Sequence, residues 1–361
     1  MRILHVETGR HLYGGALQVR YLLEGLSARG VANVLVCPSG AAIAGASAVF
    51  CEAVHEVPMG GDLDLGFVGR LQRVIRETRP DLVHLHSRRG ADVLGGIAAR
   101  RVGVPVVLSR RVDNPEPAPW ARLKYRLFDR VITISEAIRH VLLAEGVSPE
   151  RVVCVPSAVD MNAWQGTCDR EGFQAACGLA PGERAVGVIA QLITRKGHRH
   201  LLTAAPAILA AHPEVRLLLF GQGPLEAQLR ARIEDMGLTG QVRLMGFRDD
   251  LERILPCLDL VVHPADMEGL GVSLLQAAAA GVPLVGTRAG GVPEIIGDDE
   301  AGVLVPPGDA PALARAVIDL LGDPSALRRL GEAGRRRVAA RFSVEAMVAG
   351  NLAVYQELVH G

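Results

Sequence analysis

Short runs of β-branched and leucine residues alternate along the chain with longer stretches whose apolar positions recur three and four apart. In the first half the runs fall at 2–6, 33–37, 82–86, 104–109, 130–134 and 152–155, with amphipathic stretches such as 16–29 and 66–76 between them. Runs that are apolar at nearly every position predict strands buried on both faces, and their alternation with helices predicts a parallel sheet. From about 161 to 183 the pattern dissolves into Asn, Gln, Gly, Asp and Pro, ending in GLAPGER, which reads as a linker. The alternation restarts at 185–190, 216–220, 242–244, 258–263, 283–286 and 302–305. The expectation is two doubly wound α/β domains, one over 1–165 and one over 184–342, joined by a linker over 166–183. Such sheets bind ligands at the carboxyl ends of their strands, so the ligand is expected in a cleft between the domains.

Composition narrows the class. The chain has 361 residues, 49% hydrophobic and 22% charged, enough apolar surface to bury two cores and to exclude global disorder. Its 39 basic and 39 acidic side chains cancel, which argues against a nucleic-acid partner. Only Lys124 and Lys196 are lysines, the other 37 basic residues being arginines, so each lysine draws attention. The six cysteines, at 37, 51, 154, 168, 177 and 257, form no CxxC and no zinc-ligand spacing; they are expected as reduced core thiols of a cytoplasmic protein. The first apolar run is too short for a signal peptide, and the longest uncharged stretch is broken by Gln276, Gly281 and Pro283, so no membrane span is predicted.

Four loops carry candidate chemistry. Gly14 and Gly15 precede the first helix, where glycines allow close backbone approach and a helix N-terminus favours an anion; an ordinary flexible loop explains them equally well. Gly221-Gln222-Gly223-Pro224 follows a strand, but Glu226 stands at the third glycine position and no carboxylate ends the next strand, so the dinucleotide signal is weak. Lys196 stands beside Gly197 at a helix entrance, suited to a phosphate; a solvated cation is the alternative, and the scarcity of lysine favours function. The richest segment, HPADMEGLGVSLLQA at 263–277, sets Glu268 before a glycine-flanked helix start whose amides, from Leu270 through Gly271 and Val272 to Ser273, suit a diphosphate. Eight helical residues rise about 12 Å, so Glu268 and Gln276 are expected to bracket an elongated ligand. Tight packing through the alanines at 277–280 explains the helix but not the acidic loop.

In this order the segments resemble the retaining glycosyltransferases of family 4. The resemblance runs through GGA at 14–16, PDLVHLH at 80–86, VITISEAI at 131–138 and KGH at 196–198. It continues through FGQGP at 220–224, RLMGF at 243–247, EGLGVSLLQAAAAGVPLV at 268–285 and GGVPEII at 290–296. It implies an α/β chain of GT-B type, two Rossmann-like domains facing a central cleft, with a terminal helix over 343–361 crossing back to the first domain. It further implies metal-independent, retaining transfer of a hexosyl group from a nucleotide-sugar donor, with no cofactor. The acceptor would be a saccharide or lipid-linked saccharide in cell-envelope polysaccharide or lipopolysaccharide synthesis, in the cytoplasm or at the inner face of the cell membrane.

By the same resemblance Lys196 neutralises the leaving diphosphate, Glu268 matches the first Glu of an E-x7-E pattern that contacts the donor sugar, and His86 matches a first-domain His near the reacting sugar. Donor contacts would come from Gly14, Gly15, Gln191, Gly221, Gly246, Phe247, Leu270, Gly271, Val272, Ser273 and Gln276. The chain departs from the pattern at Gln276, which replaces the second Glu, and at Gln191, which replaces a phosphate-binding Arg. It departs again at Ser157-Ala158, in place of Asn-Gly, and at Arg110-Arg111, where a His is common. Arg110 and Arg111 are candidates for the acceptor, and Arg111 or Arg195 for the missing diphosphate charge.

Residues 100–130 hold eight basic against three acidic side chains, with Trp120, Leu123, Tyr125 and Leu127 interleaved. This suits an ordinary solvated helix, or a surface for a lipid-linked acceptor or an anionic membrane. Two other readings stay open: a sugar-nucleotide epimerase of the same fold, and an impaired subunit that binds a nucleotide sugar without turnover.

Overall fold

Valine, leucine and isoleucine fill the strand positions almost without a break, and every strand pair is parallel. The computed structural model describes residues 1–86, 91–298 and 300–360. The first sheet has seven strands: β1 (Arg2–Val6), β2 (Ala32–Cys37), β3 (Ala53–Glu56), β4 (Leu82–Leu85), β5 (Val106–Arg110), β6 (Arg130–Thr133) and β7 (Val152–Cys154), in the order β3-β2-β1-β4-β5-β6-β7. The second has six: β8 (Arg184–Ile189), β9 (Val215–Phe220), β10 (Val242–Gly246), β11 (Leu260–His263), β12 (Leu284–Thr287) and β13 (Gly302–Val305), in the order β10-β9-β8-β11-β12-β13. They belong to two compact units, Met1–Ala158 with Val344–His360, and Val159–Ser343.

Each sheet has a point at which successive strands leave in opposite directions, between β1 and β4 in the first and between β8 and β11 in the second. The loops at the carboxyl ends of these strands diverge, opening a crevice that helices do not fill. In the first unit Gly15–Ser27 and Val344–His360 cover one face, packing Leu22, Leu26, Val348 and Tyr355 on Ile3, Val107 and Ile132. Gly66–Thr78 and Asp92–Val102 cover the other with Phe67, Leu71 and Leu94.

Three features were not legible in the periodicity. Strand β3 reads AVHE and is only half-buried, because it lies at the sheet's edge and needs no continuous apolar run. Residues 166–183 hold a helix, Arg170–Cys177, in the second unit. Asp169 caps it by accepting from the Gly172 amide at 3.0 Å, and Gly178 ends it in the left-handed conformation, so the polar residues there are helix caps. The cysteine expectation is also corrected. Cys168 and Cys257 form a disulfide across 89 residues of sequence, while Cys37, Cys51, Cys154 and Cys177 are thiols. No spacing announces such a bond, because only the packing of the helix entrance against the turn before β11 brings the two together. Arg170 ties the same turn by donating to the Cys257 carbonyl at 3.0 Å.

A thiol titration tests this. The unreduced, denatured chain should show four reactive thiols and the reduced chain six. Cys257→Ser should lower stability in urea by about 2–5 kcal/mol. Six thiols without reductant would refute the bond.

Candidate active site

The switch point of the second sheet brings together residues far apart in sequence. After β8 the chain runs through Gln191 to Lys196; after β11 it runs through Pro264 to Glu268. The Lys196 ammonium donates to Glu268 Oε2, and His263 Nε2 donates to the same oxygen at 2.6 Å. Glu268 Oε1 accepts from the Gly269 amide at 3.1 Å, so both carboxylate oxygens are held. Two glycines make this approach possible. A Cβ at Gly197 would fall 1.8 Å from the Pro264 carbonyl oxygen, and one at Gly290 would fall 1.6 Å from that of Glu268. The Arg195 carbonyl accepts from the Asp266 amide at 2.8 Å, tying the two loops together.

Glu268 and His263 are buried, and Lys196 is half-buried. Burial alone would raise its pKa; the hydrogen bond and charge of His263, then the charge and hydrogen bond of Lys196, outweigh this and hold the carboxyl below the usual carboxylate range. Burial, followed by the charges of His263 and Lys196, lowers His198 beside them to about 4, so that imidazole stays neutral.

Glu268 also lies at the start of the helix Val272–Ala279, its Cγ 3.5 Å from where a Cβ on Gly271 would stand. The first-turn amides of a helix lack intrahelical partners and suit an anion. Leu270, Gly271, Val272 and Ser273 form that entrance. Gln276 lies one turn further on and is half-buried. Helical structure begins only at Val272, so the stretch from Glu268 to Gln276 is not one helix and the helical rise of about 12 Å does not apply to it. Gly221 and Gly246 join the ends of β9 and β10 through an amide-to-carbonyl bond of 2.7 Å, with Phe247 exposed beyond them and Gln191 exposed after β8.

In the first unit the switch point holds three buried histidines. His5 is the penultimate residue of β1, and His84 and His86 lie in and just after β4. His5 Nδ1 and His86 Nε2 are 3.0 Å apart; His84 bonds Tyr355 Oη at 2.5 Å and Ser109 Oγ at 2.9 Å. One nitrogen from each ring lies within 4.8 Å of the others, a spacing compatible with a metal ion, but in this arrangement they bond one another and their neighbours. Burial pushes His5 down to about 3 and His84 and His86 well below the ordinary histidine value, with smaller like-charge contributions from one another and Arg111 to the latter two. Gly14 and Gly15 lie in the loop after β1, and a Cβ at Gly15 would stand 3.5 Å from Arg111 Cδ. Arg111 also reaches Ser157 Oγ at 3.5 Å, joining two positions where the sequence departs from the family pattern.

Arg110 is corrected as an acceptor candidate. It is buried, donating to the Asn114 carbonyl at 2.5 Å and standing 3.7 Å from Glu116. The basic stretch is corrected in part for the same reason: Lys124 is buried, 2.6 Å from Asp92 and 3.1 Å from Glu116, while Arg100 pairs with Asp129. Trp120, Arg122, Leu123 and Arg126 remain exposed. No helix among the described residues is long and apolar enough to cross a membrane.

Two partners were missed in the sequence, His263 and His5. His263 ends its strand and His5 stands one residue before the end of its own, both at a switch point, a signal that becomes specific only once strand order is known.

Residues 13–163 match the family described as Glycosyltransferase Family 4, and residues 169–337 the family described as Glycosyl transferases group 1. The chain belongs to glycosyltransferase family 4. This glycosyltransferase is 29% identical over 297 residues to the 2-deoxystreptamine glucosyltransferase of Streptomyces kanamyceticus, with 77% of each chain covered. It is 26% identical over 301 residues to the lipopolysaccharide core biosynthesis mannosyltransferase LpsB of Rhizobium meliloti, covering 77% of this chain and 84% of that one. The crystal structure of Anabaena HepE in complex with UDP-glucose is similar at a TM-score of 0.85 and 22% identity, covering 98% of this chain and 100% of that one. The glycosyltransferase has the GT-B fold.

The Glu268 cluster has a signed pH dependence. A carboxyl with a lowered folded-state pKa contributes stability above its unfolded value, about 4.3, and loses it as pH falls towards the folded value. Glu268→Gln should therefore cost about 3–5 kcal/mol near pH 7 in urea unfolding. Its deficit against the unaltered chain should shrink below about pH 4.5. An equal deficit at pH 7 and pH 3 would rule out a charged Glu268.

Proposed function

We propose that the glycosyltransferase moves a hexosyl group, with retention of anomeric configuration and without a metal ion, from a nucleotide-sugar donor to a saccharide or lipid-linked acceptor in envelope polysaccharide synthesis. The observation that carries this reading is the meeting of Lys196 and Glu268 at the entrance of Val272–Ala279, where a cation and a helix N-terminus share one crevice. A departing diphosphate accumulates negative charge, and preorganised donors that meet this charge lower the barrier. Lys196 exchanges part of its contact with Glu268 for the diphosphate, and the amides of Leu270–Ser273 take its remaining oxygens. Glu268 stays ionised beside His263 and accepts from the sugar's hydroxyls. His86 serves the transferred sugar from the first unit. Gly14, Gly15, Gln191, Gly221, Gly246, Phe247 and Gln276 are the further donor contacts, Gln276 accepting from ribose hydroxyls without charge. The UDP-glucose named for HepE and the glucosyl transfer named for the Streptomyces kanamyceticus relative support a UDP-hexose as the first donor class to test.

Lys196→Ala and Glu268→Ala should each lower transfer by about 10²–10³-fold, with the product's anomeric configuration read by NMR. Unimpaired transfer in both variants would overturn the site assignment, inversion would overturn retention, and tight nucleotide binding with no turnover would favour a binding subunit.

Contact with an anionic membrane belongs to the same reading, since Trp120 and Leu123 are exposed beside Arg122 and Arg126. The chain should sediment with phosphatidylglycerol vesicles at low salt and release at high salt, and Trp120→Ser should weaken this. An absence of vesicle binding at low salt would eliminate the membrane surface.

A further inference from the structure

Three histidines meet where β1 and β4 lie side by side. His5 stands opposite His84 in the parallel register of these strands. The His86 amide donates to the Val6 carbonyl at 2.9 Å, so the pairing continues past the end of β4. Side chains two residues apart on a strand point to the same face. His84 and His86 therefore share a face, their ring centres 3.8 Å apart, and His5 brings a third ring to it from the neighbouring strand. All three are buried.

A His-x-His pair on one strand with a third histidine beside it is a donor set for a transition-metal ion. Zinc binds imidazole nitrogens at about 2.0–2.1 Å in tetrahedral geometry, which sets any two of them about 3.3 Å apart. His5 Nδ1 and His86 Nε2 are 3.0 Å apart, and one nitrogen from each of the three rings lies within 4.8 Å of the others. Small ring rotations close that set without moving the strands. The protons can be accommodated too. A neutral imidazole has one N–H and one lone pair, and the bond between His5 and His86 uses the N–H of one and the lone pair of the other. His5 Nε2 and His86 Nδ1 are buried without a hydrogen-bond partner. Moving the shared proton to the unpartnered nitrogen of its own ring turns both facing atoms into lone pairs, with no proton lost. His84 gives up one of its bonds, to Tyr355 Oη at 2.5 Å or Ser109 Oγ at 2.9 Å, and the bond that stays orients the ring.

We propose that His5, His84 and His86 form a site for a divalent transition-metal ion, of which zinc is the representative, and that the loaded chain does not transfer sugar. Imidazole donors suit this class of ion, and a water takes the fourth position. The loss of transfer rests on the reading of His86 given above, since a ring that ligates a metal is withdrawn from the sugar; the site itself stands apart from that reading. Among the described residues no carboxylate belongs to the group, and Arg111 adds positive charge beside it. The ligands thus leave the ion's charge uncompensated, and a chelator removes it.

The test adds cobalt(II), a coloured stand-in for zinc, to the full chain freed of metal. The expected result is a tetrahedral cobalt spectrum that saturates at one ion per chain and is erased by zinc. It should lack the near-ultraviolet thiolate band that Cys37, Cys51, Cys154 or Cys177 would give as ligands. His5→Phe and His84→Gln should each weaken binding by more than about 100-fold. Zinc should lower transfer by the unaltered chain in proportion to the fraction loaded, EDTA should restore it, and His5→Phe should be insensitive to the same zinc concentration. The site would be overturned by the absence of a cobalt spectrum, by a thiolate band, or by unchanged binding in both variants. Full transfer by the zinc-loaded chain would overturn the inhibition. Should the variants not fold, the spectrum and stoichiometry of the unaltered chain decide the site, and the EDTA reversal decides the inhibition. Failure of the transferase reading would show differently, as no turnover by the metal-free chain with any donor, and the cobalt spectrum would still uphold or overturn the site.

Discussion

The second unit's site depends on a carboxylate that is taken out of water and kept charged. Glu268 is buried, and an isolated charge there would neutralise itself by taking up a proton. It does not because Lys196 and His263 converge on one of its oxygens and a backbone amide on the other. This arrangement constrains the loops around it. Lys196 can reach only if the chain beside it passes against the Pro264 carbonyl, which requires Gly197, and the Glu268 backbone is itself crossed at Gly290. The same ions are thus a condition on the loop geometry and a source of the site's electrostatic character.

The two units meet the same topological problem with opposite chemistry. At each switch point, polar side chains from two neighbouring strands and the loops that follow them meet in a buried place. The second sheet fills that place with ions that neutralise each other. The first fills it with imidazoles whose burial removes their charge, joined by hydrogen bonds to Tyr355 and Ser109. A charged cluster responds to a ligand's charge by exchanging partners; a neutral cluster can only direct lone pairs and protons.

The strands were legible because a parallel sheet covered on both faces leaves its pattern in every strand, as in β9, VRLLLF. Edge strand β3 was not, since its burial is partial. Lys196 and Glu268 were legible as candidates because each stands beside glycine at a helix entrance. Their mutual contact was not, being set by β8 and β11 lying side by side. His263 and His5 look like any strand-end histidine until their neighbours are known. Arg110 misled for the converse reason. In sequence it sits in an excess of positive charge, while in space Glu116 is turned onto it and it is buried. Local charge counts fail wherever a side chain's partner lies on another element, and the Cys168–Cys257 bond is the covalent form of the same failure.

The two lysines show how far composition can carry an argument. Both pair with carboxylates, Lys124 buried with Asp92 and Glu116, Lys196 half-buried with Glu268. In a chain that otherwise uses arginine, the shared feature is an ammonium paired with carboxylate oxygens. Rarity therefore picked out two ion pairs, and by itself could not separate a structural lysine from a functional one. What separates them is their surroundings. Lys124 is enclosed by Asp92 and Glu116, and Tyr125 also donates to Glu116, a closed arrangement within the first unit's core. Lys196 lies at a switch point with a helix entrance beside its carboxylate, where an incoming anion can compete for the ammonium. The first ammonium is committed to two carboxylates and the second to one, so under the proposed reading only the second is placed to exchange its partner for a diphosphate.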